Sequence, residues 1–159
     1  MILDSGDRTE FESGAVRDMQ KGKGRCDLLP LTVVSMIFGN SPKQLNVLTR
    51  IENFQSTGNI THLILALECF TDDYGWDNST MFLEVAKHFE EGAEKYGDNN
   101  WRKGLPVKNY INSAIRHYLK CLRGDQDESH DRAFCWNIIC AIWTCINIPE
   151  LNDYGKGDN

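Results

Sequence analysis

The chain lacks any apolar run long enough to cross a membrane: Leu63–Leu67 and Ile138–Ile148 are too short or too interrupted. Its start, Met1-Ile2-Leu3-Asp4, has neither the positive n-region nor the apolar h-region of a secretory signal. A cytoplasmic protein with no membrane partner is therefore expected. An excess of positive charge is also missing. Seventeen Lys and Arg against 23 Asp and Glu give a net charge of −6, which argues against non-specific binding of nucleic acid. A local basic pocket for a phosphorylated small molecule stays possible. Cys-x-x-Cys spacing is absent from the six cysteines (Cys26, Cys69, Cys121, Cys135, Cys140, Cys145). Three of them sit in one apolar helical run, so reduced thiols are expected rather than disulfides or a zinc site. No P-loop, internal repeat or strand-like alternation is present.

What is present is helical periodicity broken by Gly, Asn and Pro. Residues 1–159 read as one domain, with 1–13 polar, aperiodic and expected to be flexible. A short helix is expected over Leu31–Phe38, directly after Pro30. Others follow at Pro42–Gln55 and Asn59–Phe70, with a loop over Thr71–Asn78. Asn78-Ser79-Thr80 can cap a helix that runs to Tyr96. After a long polar loop comes Val107–Leu122, with Arg116, Lys120 and Arg123 on one stripe and Gly124 at its end. Asp125–Arg132 then opens a last helix that is apolar on nearly every side from Ala133 to Ile146. The fold class is all-α, a single-domain bundle of five or six helices.

Three stretches point to chemistry. In the helix ending at Tyr96, Val85, Phe89, Ala93 and Tyr96 share a stripe suited to a core, while Glu84, Glu91 and Glu94 lie opposite and Glu90 flanks them. Spacings of three and four residues let Glu90, Glu91 and Glu94 converge, and their mutual repulsion would be relieved by Mg²⁺. A solvated acidic face accounts for the same pattern. In Gly14–Pro30, the cations Arg17, Lys21, Lys23 and Arg25 are interleaved with Gly22 and Gly24. That composition suits a phosphate contact, and equally a mobile basic tail. Asp127 and Glu128 precede the last helix, where its macrodipole alone favours them. Asn137, the one amide inside that helix, needs either a structural partner or a ligand.

Glu91-Gly-Ala-Glu94 followed by Glu128-Ser-His-Asp131 resembles the ExxE and ExxD metal motif of MazG-like all-α nucleotide pyrophosphohydrolases. A wider resemblance runs over four blocks within residues 14–137, to a phage and prophage family of dATP/dGTP diphosphohydrolase N-terminal domains. Its blocks are Gly14–Asp18 with Gly22–Arg25 and Asp27–Pro30; Glu91–Trp101 with Lys103-Gly104; Ser113–His117; and Asp127–His130 with Trp136-Asn137. Residues of about 40–80 look like an insertion relative to shorter members.

The resemblance implies hydrolysis of a purine deoxynucleoside triphosphate, dATP or dGTP, to monophosphate and pyrophosphate, with Mg²⁺ or Mn²⁺. It implies a metal set drawn from Glu90, Glu91, Glu94, Asp127, Glu128 and Asp131, with Glu91, Glu128 and His130 catalytic. Substrate contacts would come from Arg17, Lys21, Lys23, Arg25, Lys95, Tyr96, Asn100, Trp101, Arg116, His117 and Asn137, with Trp101 either stacking on the base or packing. By analogy the protein would be a homo-oligomer, a dimer or tetramer, in a bacterial host cell. The alternative is a non-catalytic nucleotide-binding or phage interaction protein on the same bundle.

Overall fold

The computed structural model describes residues 6–31, 33–34 and 42–156. Five α-helices make up most of it: α1 Pro42–Thr57, α2 Thr61–Tyr74, α3 Asn78–Tyr96, α4 Val107–Arg123 and α5 His130–Asn147. The all-α expectation holds. The helix expected over Leu31–Phe38 lies largely outside the described residues.

α5 is central. Ala133, Phe134, Cys135, Ile138, Cys140 and Ala141 are all buried, as an all-round apolar helix should be. α4 lies along it, burying Tyr110, Ile111, Ala114, Ile115 and Tyr118, and its opposite face carries the Arg116 and Lys120 stripe. α3 packs on α5, and α1 with α2 forms a second pair in the same core. All six cysteines are free thiols, and none of the described helices is long and apolar enough to cross a membrane. The C-terminal turn closes over the α1–α2 connection. There a Cβ on Gly58 would stand 2.7 Å from the Tyr154 carbonyl oxygen, at φ +68°, so only glycine fits.

Several boundaries move. α2 continues through Thr71 to Tyr74, because the Thr71 hydroxyl bonds back to the Leu67 and Glu68 carbonyls and is buried there. The cap of α3 is Asp77, whose Oδ1 accepts from the Thr80 amide at 2.7 Å, rather than Asn78-Ser79-Thr80. Asp125–Ser129 stays in a loop ahead of α5, and the polar loop after α3 holds one 3₁₀ turn, Asn100–Lys103.

The larger correction concerns the N-terminal third. Strands β1 (Arg8–Glu10) and β2 (Val16–Asp18) pair antiparallel, with Arg8 opposite Asp18 and Glu10 opposite Val16. Strands of three residues cannot show alternation, so the sequence hides them. The basic segment is not a loose tail either. Ala15 is fully buried. Asn100 makes both strand-like bonds to Val16, accepting from its amide at 3.0 Å and donating to its carbonyl at 2.9 Å. Asn112 accepts from the Cys26 amide at 2.6 Å, and Arg116 donates to the carbonyls of Lys23 and Gly24, both at 3.1 Å. Gly22 and Gly24 take φ of +82° and +85° to make this turn.

Asn112 is thus a staple. Asn112→Ala should cost about 1–3 kcal/mol, since it strands a buried amide. Protease cleavage between Lys21 and Arg25 should also quicken. Unchanged cleavage would mean that the segment is held by other contacts.

Candidate functional site

A cavity of about 860 Å³ opens between β2, the C-terminal half of α3, the Asn100–Lys103 turn and the facing sides of α4 and α5. That volume is in the usual range for a small-molecule site. Among the described residues, none of its lining comes from α1 or α2. Of the stripe expected in the core, Val85 is buried and Phe89 packs against the core, while Phe89, Ala93 and Tyr96 also line the cavity.

One wall is cationic. Arg17, Lys23, Arg116 and Lys120 all border the cavity. Lys120 reaches Asp127 at 3.4 Å, but among the described residues Arg17, Lys23 and Arg116 form no ion pair. Arg17 is the most enclosed. Its Nη2 donates to Asn137 Oδ1 at 2.6 Å, while Nη1 is buried without a hydrogen-bond partner. The guanidinium lies over the rings of Tyr110 and Trp136, at 5.4 and 5.9 Å. Burial, with the Arg116 charge adding to it, lowers its pKa. Asn137 in turn donates to the Ala133 carbonyl at 2.8 Å, so its oxygen is aimed at Arg17. Asn137 is thus a structural partner that fixes a cavity residue, and it also lines the cavity.

The other expected substrate contacts divide. Lys95 and Tyr96 both donate to Asp18, at 3.1 and 2.8 Å, and Arg8 donates to the same carboxylate at 2.9 Å. Tyr96 lines the cavity and Lys95 does not. Asn100 lines it too, but its amide is engaged by Val16. Trp101 borders the cavity and also packs among Phe89, Trp143 and the Arg102 guanidinium. Arg25 is held by Asp27 at 2.6 Å, and Lys21 is exposed away from the cavity.

The acidic residues do not gather as one set. Glu90 borders the cavity at its exposed edge, and Glu94 is exposed outside it. Glu91 turns the other way and binds Arg132 of α5 at 2.5 Å, with Glu84 at 4.0 Å from the same guanidinium. Asp131 accepts from the Arg132 amide and, with Asp127 and His130, lines a smaller pocket beside Tyr74. Glu128 borders both spaces.

Among the described residues no all-carboxylate cluster could hold a divalent ion, but a mixed one could. His117 Nδ1 and His130 Nδ1 are 3.0 Å apart, and each is 3.5 Å from Glu128 Oε1. The chemistry of this donor set fits a divalent metal. Burial, then the neighbouring His130 and Arg17, holds the His117 pKa well below the ordinary histidine value, which keeps the ring neutral.

Sequence reasoning missed His88, Asp18 and Gln20. His88 was hidden because it falls within an amphipathic stripe, and only packing put it against Trp136 at the cavity wall. Burial, with Arg132 and Arg17 nearby, lowers its pKa from 6.5 to about 3. A group that must stay neutral in the fold binds fewer protons there than in the unfolded chain. His88 therefore costs stability as pH falls from 6.5 toward 3, by at most about 1.4 kcal/mol per pH unit. Unfolding of His88→Gln followed by urea should show a shallower loss over that window. Parallel curves for the two proteins would refute the buried neutral ring.

Residues 78–154 match the family model described as dATP/dGTP diphosphohydrolase, N-terminal. The match covers a little under half of the chain. The matched segment carries α3, α4 and α5 and so most of the cavity, whereas β2 and the basic turn lie ahead of it. The family is one of nucleotide-hydrolysing enzymes, and the helical architecture is consistent with the MazG-like fold. No curated protein and no solved structure matches the chain.

Proposed function

We propose that the chain hydrolyses a purine deoxynucleoside triphosphate, dATP or dGTP, to the monophosphate and pyrophosphate, with Mg²⁺ or Mn²⁺. The observation that supports this most directly is Arg17, a buried guanidinium without an ion pair among the described residues, at the wall of a nucleotide-sized cavity. A buried cation is costly unless an anion meets it. With Lys23 and Arg116 beside it, the cavity suits several negative charges on one ligand. Trp101, also in the lining, supplies an aromatic ring for a base.

In this reading Arg17, Lys23 and Arg116 bind the phosphate oxygens and stabilise charge that develops on them. Asn137 and the rings of Tyr110 and Trp136 hold Arg17 in place, so little reorganisation is needed. Glu128 stands at the acid end of the cavity, where it would hold the divalent ion. Bound there, that ion supplies charge neutralisation and lowers the pKa of water. A carboxylate at the cavity wall that does not bind the ion, such as Glu90, is left to accept a proton from the attacking water. The setting we propose is phage or prophage nucleotide metabolism in a bacterial cytoplasm, by a dimer or tetramer.

The test is release of pyrophosphate from a panel of deoxy- and ribonucleoside triphosphates with Mg²⁺ or Mn²⁺. Turnover of dATP or dGTP is expected. Saturable nucleotide binding with no release across the panel would favour the non-catalytic nucleotide-binding alternative. Glu128→Gln should abolish turnover and leave the metal-free melting temperature unchanged. Wild-type turnover in that variant would remove Glu128 from the chemistry.

A further inference from the structure

We infer that His117, Glu128 and His130 form a transition-metal site with two imidazole ligands, selecting a borderline ion such as Mn²⁺ or Zn²⁺ over Mg²⁺. This deepens the hydrolase reading but does not need turnover to be true.

The three donor atoms are separated by 3.0, 3.5 and 3.5 Å. Ligands held about 2.1 Å from one ion stand roughly 3.0 Å apart along an octahedral edge and roughly 3.4 Å along a tetrahedral one. The triangle has the size of one face of a coordination sphere.

His130 Nε2 lies 2.6 Å from Asp127 Oδ1. An ionised carboxylate only accepts, so Nε2 carries the proton and, in the neutral ring, Nδ1 presents its lone pair to His117 and Glu128. A carboxylate behind the far nitrogen of a histidine is the usual outer partner of a metal-bound imidazole. Asp127 thus acts as a positioning residue, not a ligand at this site. A direct imidazole–imidazole hydrogen bond also fits 3.0 Å; it needs no metal, and it predicts no histidine-dependent binding of Mn²⁺.

Chemistry then decides the ion. Mg²⁺ prefers oxygen, whereas imidazole nitrogen suits Mn²⁺ weakly and Zn²⁺ strongly. Glu128 and His117 border the large cavity, so an ion here would face the Arg17 wall with positions open to a phosphate ligand.

The test uses the full chain without nucleotide. Mn²⁺ is titrated and followed by loss of its free-ion electron spin resonance signal, with Zn²⁺ and Mg²⁺ as competitors. Nitrogen coupling is read by spin-echo modulation. Expected are saturable Mn²⁺ binding with ¹⁴N modulation, and displacement by Zn²⁺ at concentrations on the order of a hundredfold below those needed with Mg²⁺. His117→Gln should weaken Mn²⁺ binding by at least about tenfold and reduce the modulation. His130 is buried, so Asp127→Asn, an exposed change, serves as the second variant and should also weaken binding by about tenfold or more.

Mn²⁺ binding without ¹⁴N modulation, or unaltered in both variants, overturns the site. Histidine-dependent binding in a protein that releases no pyrophosphate keeps the site and removes the hydrolase reading. Turnover with histidine-independent metal binding does the reverse.

Discussion

Arg17→Met should lower kcat/KM for the nucleotide by about a hundredfold or more, while the protein melts no lower than wild type. The two effects share one cause. The guanidinium sits between Tyr110 and Trp136, bonded to Asn137, and burial pushes its pKa down. That charge is desolvated without an ion pair among the described residues, a cost the fold bears. When phosphate arrives, charge-assisted bonds form in a site already shaped for them. Loss of one such preorganised donor typically costs about 10²–10³ in rate. Methionine keeps the length and removes the buried charge, so stability should hold or rise, as expected where function strains a fold. Kinetics alongside a thermal melt checks both arms. Undiminished kcat/KM would show that Arg17 is not the anion contact, and a large fall in melting temperature would show that its role is structural.

Glu91→Gln should destabilise the protein by about 3 kcal/mol, which for a chain of this size is roughly 6–12 °C in melting temperature. Arg132 is nearly buried on α5, and Glu91 of α3 is the carboxylate that meets it closely, with Glu84 at 4.0 Å. Removing one partner of a buried pair leaves the other charge uncompensated, which costs more than the pair contributes. The double variant Glu91→Leu/Arg132→Met removes both charges and should recover most of the loss. Should Glu91→Gln melt with wild type yet lose turnover, Glu91 would return to the role that the MazG-like motif suggests for it. Equal melting of single and double variants would also count against the clamp.

These two residues show where sequence reasoning succeeds and where it stops. Arg17 was legible as one of four cations among glycines, but nothing local separated it from Lys21 or Arg25. One is enclosed by aromatic rings from two helices, one is exposed, and one is held by Asp27 two residues away. Glu91 was legible as part of an acidic helix face. That face is not uniform in the fold: Glu90 borders the cavity, Glu94 is in solvent, and Glu91 meets Arg132. Helical spacing fixes which side chains share a face of one helix. It carries no information about what the next helix presents to that face.

By itself the sequence determined most of the helices, the breaks at Gly97 and Gly124, the buried character of α5, and the family resemblance that the match bears out over residues 78–154. Those features depend on periodicity, capping and composition, all local in the chain. Tertiary structure alone decided that the N-terminal basic segment is pinned across the cavity by Asn100, Asn112 and Arg116, and that His117 and His130 meet at Glu128. Such contacts join residues up to 93 positions apart, where burial and hydrogen-bond satisfaction over the whole fold choose the partner.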